Sequence, residues 1–343
     1  MNPQERRRRP RVLALTLLCA AFLPFVAACG SDSEQLVFMA DGGPTGSLSH
    51  VAVYVAAARG FYEQEGLDVR IEHASADGEQ LEALEDGDAA FASVRASDLV
   101  THVAAQQAAG TTSEAVAIAL FEQRGDEGYL VREGSGIRTP ADFAGRIVGI
   151  RGTTAPPELT ALLASAGLNA ADVTLEEVGA DGLDRVLVGQ LDVYPVRLNH
   201  EPDIARRLGN DVIVIDPEAF GVETLGSTVV ASRSLLESEP ATAAAFLRAT
   251  FRGAYYTSRH IDEAIAITLD YAPDADVDHL SVMLEIDLRA AERADGLGRG
   301  DEARWQSLID LYSAYGALEA PLTVEDVFDS SVIDGLYERG ELP

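Results

Sequence analysis

Short apolar runs alternate with helix-patterned stretches twice over in this chain, and that alternation confines it to a small set of α/β layouts. Leu36–Ala40 reads as a strand, His50–Ala58 as a helix, Leu67–Ile71 as a strand and Gln80–Glu85 as a short helix. Ala89–Ala92 reads as a buried strand, Ser97–Ala109 as a helix and Val116–Phe121 as a strand. This is β-α-β-α-β, the pattern of a mostly parallel sheet with helical cover. The pattern restarts at the capping box Thr139-Pro140-Ala141-Asp142, with Pro at the first helical position. Strands over Ile147–Ile150, Val173–Val178, Leu191–Tyr194 and Val212–Ile215 then alternate with helices over Glu158–Ala166, Leu183–Val188 and Glu201–Leu208. After a strand at Thr228–Ala231 the pattern is helical, over Pro240–Thr257, Ile261–Tyr271, Val277–Ala294 and Asp301–Tyr315. Those helices carry no evident chemistry and are expected to pack the first of two lobes.

The first thirty residues read differently. Arg6, Arg7, Arg8, Arg9 and Arg11 precede an apolar stretch, Val12–Ala28. Its 17 residues fall short of the about 20 a membrane span needs, and Pro24 disfavours one continuous helix. Small residues then precede Cys29, the pattern of a secretory signal. Val26-Ala27-Ala28-Cys29 resembles a bacterial lipobox, which implies lipidation at Cys29 after removal of residues 1–28. Residues 29–35 read as a tether.

Charge excludes several roles. The formal net charge is −30, with 56 acids against 26 basic residues, every one of them Arg. Such a surface repels nucleic acid and anionic lipid, so any membrane attachment falls to the acyl chains. Without a Lys, no Schiff base forms with a carbonyl cofactor. Both cysteines, Cys19 and Cys29, lie near the N-terminus, so the body has no disulfide framework, Cys-based zinc site or thiol nucleophile. No His-Glu-x-x-His or Gly-x-Ser-x-Gly motif is present. The reading is therefore of a non-enzyme without metal or cofactor.

Six stretches resemble, in family order, the NMT1/THI5-like (sulfonate and thiamine-precursor type) substrate-binding lipoproteins of ABC transporters. They are His50–Ala56, Arg59–Val69, Gly87–Phe91, Gly134–Gly145, Asn199-His200-Glu201-Pro202 and Phe246–Gly253. The resemblance implies the type II periplasmic-binding-protein, or Venus flytrap, fold: two α/β lobes, two hinge crossovers and a ligand cleft between them. Lobe one is expected over 36–124 and 225–343 and lobe two over 125–224, with crossovers near Phe121–Gly128 and Pro217–Thr228. It also implies an extracytoplasmic, lipid-anchored monomer that captures a small-molecule solute for a permease and an ATPase. A thiamine-precursor pyrimidine is the expected solute; riboflavin or a sulfonate-like anion are alternatives. A pyridoxal-dependent pyrimidine synthase, known among relatives, is disfavoured by the missing Lys.

Candidate ligand contacts follow strand ends, where α/β sheets bind ligands. Asp41–Ser49 offers a Gly- and Ser-rich cradle ending at Ser49 and His50, although a lone His is as often a packed residue. Tyr54 is as readily core as cleft. Arg95 suits a carboxylate, sulfonate or phosphate, or a structural ion pair. Gln123 lies on the first crossover, where the resemblance implies a cleft contact. Thr153 and Thr154, beside Arg151, suit an anion or serve as a helix cap. Tyr194 is placed to stack on a flat ring. Asn199 and Glu201 bond ligand or cap a helix. Ser227 stands where many relatives carry an acid, so the ligand can differ from theirs.

Overall fold

The computed structural model describes residues 35–343; the leader, Cys29 and most of the tether lie outside the described residues. The first sheet has strands β1 (Leu36–Ala40), β2 (Val69–His73), β3 (Phe91–Arg95) and β4 (Ala115–Leu120). Between them run α1 (Leu48–Ala58), α2 (Phe61–Gln64), α3 (Glu79–Asp86) and α4 (Ala96–Ala108). The second lobe follows as β5 (Glu127–Arg132), β6 (Ile147–Ile150), α5 (Pro157–Ser165), β7 (Thr174–Glu177), α6 (Gly182–Leu187), β8 (Tyr194–Arg197), α7 (Glu201–Arg207) and β9 (Val212–Ile215). The chain then returns through β10 (Ser227–Ser232), α8 (Arg233–Ser238), α9 (Pro240–Thr257), α10 (Ile261–Tyr271), α11 (Val277–Ala291), α12 (Glu302–Ala314) and α13 (Ser331–Glu338).

The first sheet has the order β2-β1-β3-β10-β4, with β10 antiparallel to both neighbours. The second has the order β8-β5-β9, with β5 antiparallel to each edge, and β6 and β7 form a parallel pair beside it. Two segments pass between the sheets: the one between Leu120 and Glu127, and the one between Ile215 and Ser227. Strand β5 corrects the expected first crossover. Gly128 is not linker but part of the central strand of the second sheet, where a Cβ would meet Leu198 and Val214. The expected strand at Leu191–Tyr194 also moves. Val193 makes a single bridge to Val148, and the paired strand is Tyr194–Arg197. The capping box is present: Asp142 Oδ2 accepts from the Thr139 amide at 2.9 Å, over a 3-10 turn.

Each face of the first sheet has its own core. On one, α1 and α9 cross closely, with Phe38, Phe91, Phe121, Phe246 and Phe251 buried between them and the sheet. On the other, α4 and α12 bury Leu99, Trp305 and Phe328. Gly253 permits the α1–α9 approach, since a Cβ there would stand 2.2 Å from the Ala52 carbonyl oxygen. Gly253→Ala is therefore expected to destabilise by about 1–3 kcal/mol through overpacking, read as a lowered melting temperature. An unchanged melting temperature would show that the helices part freely.

Candidate functional site

The carboxyl ends of β1 and β3 and the amino end of β10 face the second lobe, as ligand clefts of α/β sheets require. Two cavities open there. One, of about 330 Å3, lies between Arg95 and Asp98 of the first lobe and Glu127, Arg151 and Glu158 of the second, with Tyr312 on its wall. The other, of about 230 Å3, runs over Asp41, Gly42 and Gly43. Arg95 and Arg197 line both, so the cavities meet at these two guanidinium groups.

Arg95 ends β3 and its Nε donates to Asp98 Oδ2 at 2.8 Å. Its Nη1 lies 3.6 Å from Glu127 Oε1 on the opposite lobe. Burial would weaken its charge, but Asp98, Asp126 and Glu127 hold it more firmly protonated than usual. Burial first, then the charges of Glu158 and Asp126, pushes Glu127 up to about 7. Burial also raises Glu158, which accepts from the Tyr312 hydroxyl between α5 and α12.

Asp41, at the end of β1, accepts from Ser93 Oγ at 2.8 Å. His50 Nδ1 accepts from the Thr45 amide at 3.2 Å, so its Nε2 is the nitrogen that donates to Asp41 Oδ1, also at 3.2 Å. Burial opposes ionisation of Asp41, yet the hydrogen bonds from His50 and Ser93 and the charge of Arg197 hold its carboxyl below the usual range. His50 itself is 1% exposed, so it orients Asp41 and the loop rather than meeting the cleft surface. Ser49 is buried too, with its hydroxyl on Ser47 Oγ.

The other expected contacts divide. Glu201 caps: Oε2 accepts from the Arg197 amide at 2.7 Å and Oε1 from Arg151 Nη2 at 2.9 Å. Arg151 is thereby held at the cleft wall. Thr153 and Thr154 stay exposed on the loop after β6. Asn199 is 6% exposed and donates through Nδ2 to Asp287 Oδ1 across the lobes at 2.8 Å. Ser227 opens β10 opposite Arg95 and gives its amide to Glu122 Oε2 at 2.7 Å. Two expectations fail on geometry. Tyr194 is buried in the second lobe's core, its ring filling the space over Gly182, and has no face for a ligand. Gln123 spends its amide on Arg299 O at 2.8 Å and its carbonyl on Arg293, fastening the crossover to the C-terminal segment. Tyr54 is core, stacked at 3.8 Å on Tyr271.

The C-terminal helices do carry chemistry, contrary to the sequence expectation. Asp287, on α11, accepts from the Leu48 amide at the start of α1 at 3.0 Å and from Asn199. Its signal was readable, since Leu284, Asp287 and Ala291 share an apolar helix face that an acid does not enter unpaired. Arg197, Glu127, Glu158 and Tyr312 are further cleft residues that no local motif marks.

Comparison with known proteins places this geometry. The family model described as NMT1/THI5 like matches residues 47–264. The chain is 26% identical to the formylaminopyrimidine-binding protein of Halalkalibacterium halodurans, over 89% of this chain and 95% of that one. It is 25% identical to the riboflavin-binding protein RibY of Chloroflexus aurantiacus, over 84% of each. The periplasmic aliphatic sulphonate binding protein SsuA of Escherichia coli superposes with a TM-score of 0.67 at 20% identity, covering 85% of this chain and 91% of that one. The fold is the two-lobed one of periplasmic solute-binding proteins, as expected from the sequence, and the chain belongs to the NMT1/THI5-like family.

Proposed function

We propose that this chain is the extracytoplasmic solute-binding component of an ABC importer, capturing a small heterocycle such as a thiamine-precursor pyrimidine between its lobes. The observation that carries the reading is the pair of cavities joined at Arg95 and Arg197 and walled by both sheets' strand ends. Lobe one spans 36–124 and 225–343 and lobe two 125–224, with the two crossovers as hinges. The protein binds without catalysing, acts as a monomer held to the membrane through Cys29, and delivers its solute to permease and ATPase subunits. Its relatives are named as binding proteins, and no helix among the described residues is long and apolar enough to cross a membrane.

Charge favours the heterocycle over a small anion. Three arginines line the cleft, but each already faces acid: Arg95 faces Asp98 and Glu127, Arg151 faces Glu201, and Arg197 stands 3.9 Å from Asp126. These acids balance their charge, which favours them as oriented N–H donors to a neutral ring over holders of a bare anion.

A thermal-shift panel of hydroxymethylpyrimidine, formylaminopyrimidine, thiamine, riboflavin, taurine and nitrate tests the reading. A ligand at 100 times its Kd stabilises by about 2.7 kcal/mol. A shift with a pyrimidine is expected; a shift with taurine or nitrate alone overturns the ligand. Arg95→Gln is expected to weaken the responding ligand by about 10–100-fold, the loss of a charged hydrogen bond. Calorimetry showing unchanged affinity would remove Arg95 from the site.

A further inference from the structure

A third cavity, of about 410 Å3, lies beside the first crossover, and its walls are rich in acceptors. They include Glu122, Asp126, Asn199, Asp216 and Asp287. Both arginines at its rim are already paired, Arg124 with one of these wall acids. Arg124 pairs with Asp216 and, at 3.1 Å, with Glu218; Arg289 pairs with Glu285 at 3.1 Å. Glu122 and Asp287 therefore have amide and side-chain donors but no ion-pair partner among the described residues, the charge of Arg197 reaching Asp287 only at a distance. Glu122 is 5% and Asn199 6% exposed, yet Glu122 Oε1 and Asn199 Oδ1 have no hydrogen-bond partner among the described residues. Buried acceptors left so are costly unless something supplies donors. The cavity adjoins the cleft, since Asp126 on its wall stands 3.9 Å from the Arg197 guanidinium.

The geometry points to a subsite for a cationic, donor-rich nitrogen group (an ammonium, an amidinium or a protonated amino-heterocycle) held among Glu122, Asn199 and Asp287. It rests on the solute-capture reading and specifies the chemistry of the solute's hinge-facing end. An amidinium edge presents parallel N–H groups, which match carboxylate oxygens in two-point fashion. The Asn199 carbonyl then takes a further N–H, and the orphaned oxygens are satisfied together. Burial first, then the mutual repulsion of the two carboxyls, raises Glu122 well above the usual range, and burial foremost pushes Asp287 to about 7. Near neutral pH the unliganded pair holds protons that an incoming cation displaces.

The test is calorimetry on the purified protein at pH 6 and pH 8, with two probes: 4-amino-5-hydroxymethyl-2-methylpyrimidine and its 4-oxo analogue, which lacks the amine. Taurine serves as an anionic comparison. Benzamidine, an amidinium throughout this pH range, reports proton release in buffers of different ionisation enthalpy. The proposal expects the amino compound to bind at least about 10-fold tighter than the oxo compound. It expects proton release with benzamidine at pH 6, and a loss of about 10–100-fold for the amino compound in Glu122→Gln. Should that variant fail to fold, the wild-type proton release alone decides. Equal binding of amino and oxo compounds, or proton uptake with benzamidine, overturns the subsite. Binding of taurine alone also overturns it while leaving solute capture standing. No binding by any probe overturns both.

Discussion

Lowering the pH from 8 to 5 is expected to stabilise the unliganded protein, the reverse of ordinary acid denaturation. Asp287 and Glu127 each lie near 7 in the folded chain, raised foremost by burial. In the unfolded chain such groups titrate near about 4. Between those values the folded state binds more protons, so stability falls as pH rises through the window and is fully present below it. Glu122 and Glu158, raised also by burial, act in the same direction. A tenfold difference in proton affinity is about 1.4 kcal/mol, so Asp287 alone contributes on the order of 2–3 kcal/mol; Glu127, whose side chain is 38% exposed, adds less because water screens it. Protonation also relieves a chain of formal charge −30.

Two sets of groups oppose this. His200 and His73, both lowered foremost by burial, cost stability as pH drops below their ordinary value. Asp41 and Glu85, lowered by hydrogen bonds that outweigh burial, and Asp295, held at about 2 by Arg293, lose their contribution only in stronger acid. Urea denaturation at pH 5, 6, 7 and 8 measures the slope. Asp287→Asn is expected to flatten it, which separates the buried acid from general charge relief. A midpoint that falls steadily from pH 8 to pH 5 would mean these carboxyls are hydrated and ionised in the native state.

The helices were legible in the sequence where the pattern is local. Pro240–Thr257 and Ile261–Tyr271 form over the residues their periodicity marks, because a helix satisfies its backbone within itself. β5 was not. Only Tyr129, Leu130 and Val131 are apolar between charged ends, and its partners β8 and β9 lie far along the chain. The antiparallel insertion of β10 is likewise a tertiary fact. The site divides the same way. Arg95 was legible because it follows a strand and opens a helix, a position local pattern reveals. Tyr194 misled because its strand begins there, turning the ring into the second lobe rather than the cleft. The acid on the apolar face of α11 marked Asp287 as paired, but not with what: its partners, Leu48 and Asn199, lie on two distant stretches of chain that only folding brings to it.

Phe246→Ala is expected to cost about 3–5 kcal/mol, the range for emptying a buried aromatic site. The ring is fully buried and stacks on Phe91 at 3.8 Å, with Tyr62 at 5.4 Å and Phe38 at 5.8 Å. These three neighbours come from β3, α2 and β1, so one side chain of α9 ties the C-terminal helices to the oldest strands of the first lobe in chain order. They cannot close the gap by moving, since Phe91 and Phe38 stand on paired strands and Tyr62 is fixed at 2.8 Å to Thr250. Phe246→Leu, which refills much of the volume, is expected to recover most of the loss. The single tryptophan gives the readout: Trp305 packs on the opposite face of the same sheet, 5.2 Å from Phe328. Its fluorescence midpoint in urea should therefore fall with Phe246→Ala although it does not touch the mutated ring. A fluorescence midpoint that holds while circular dichroism shifts would mean that the two faces of the sheet unfold separately. A loss under about 1 kcal/mol by both probes would contradict the packing of α9 itself.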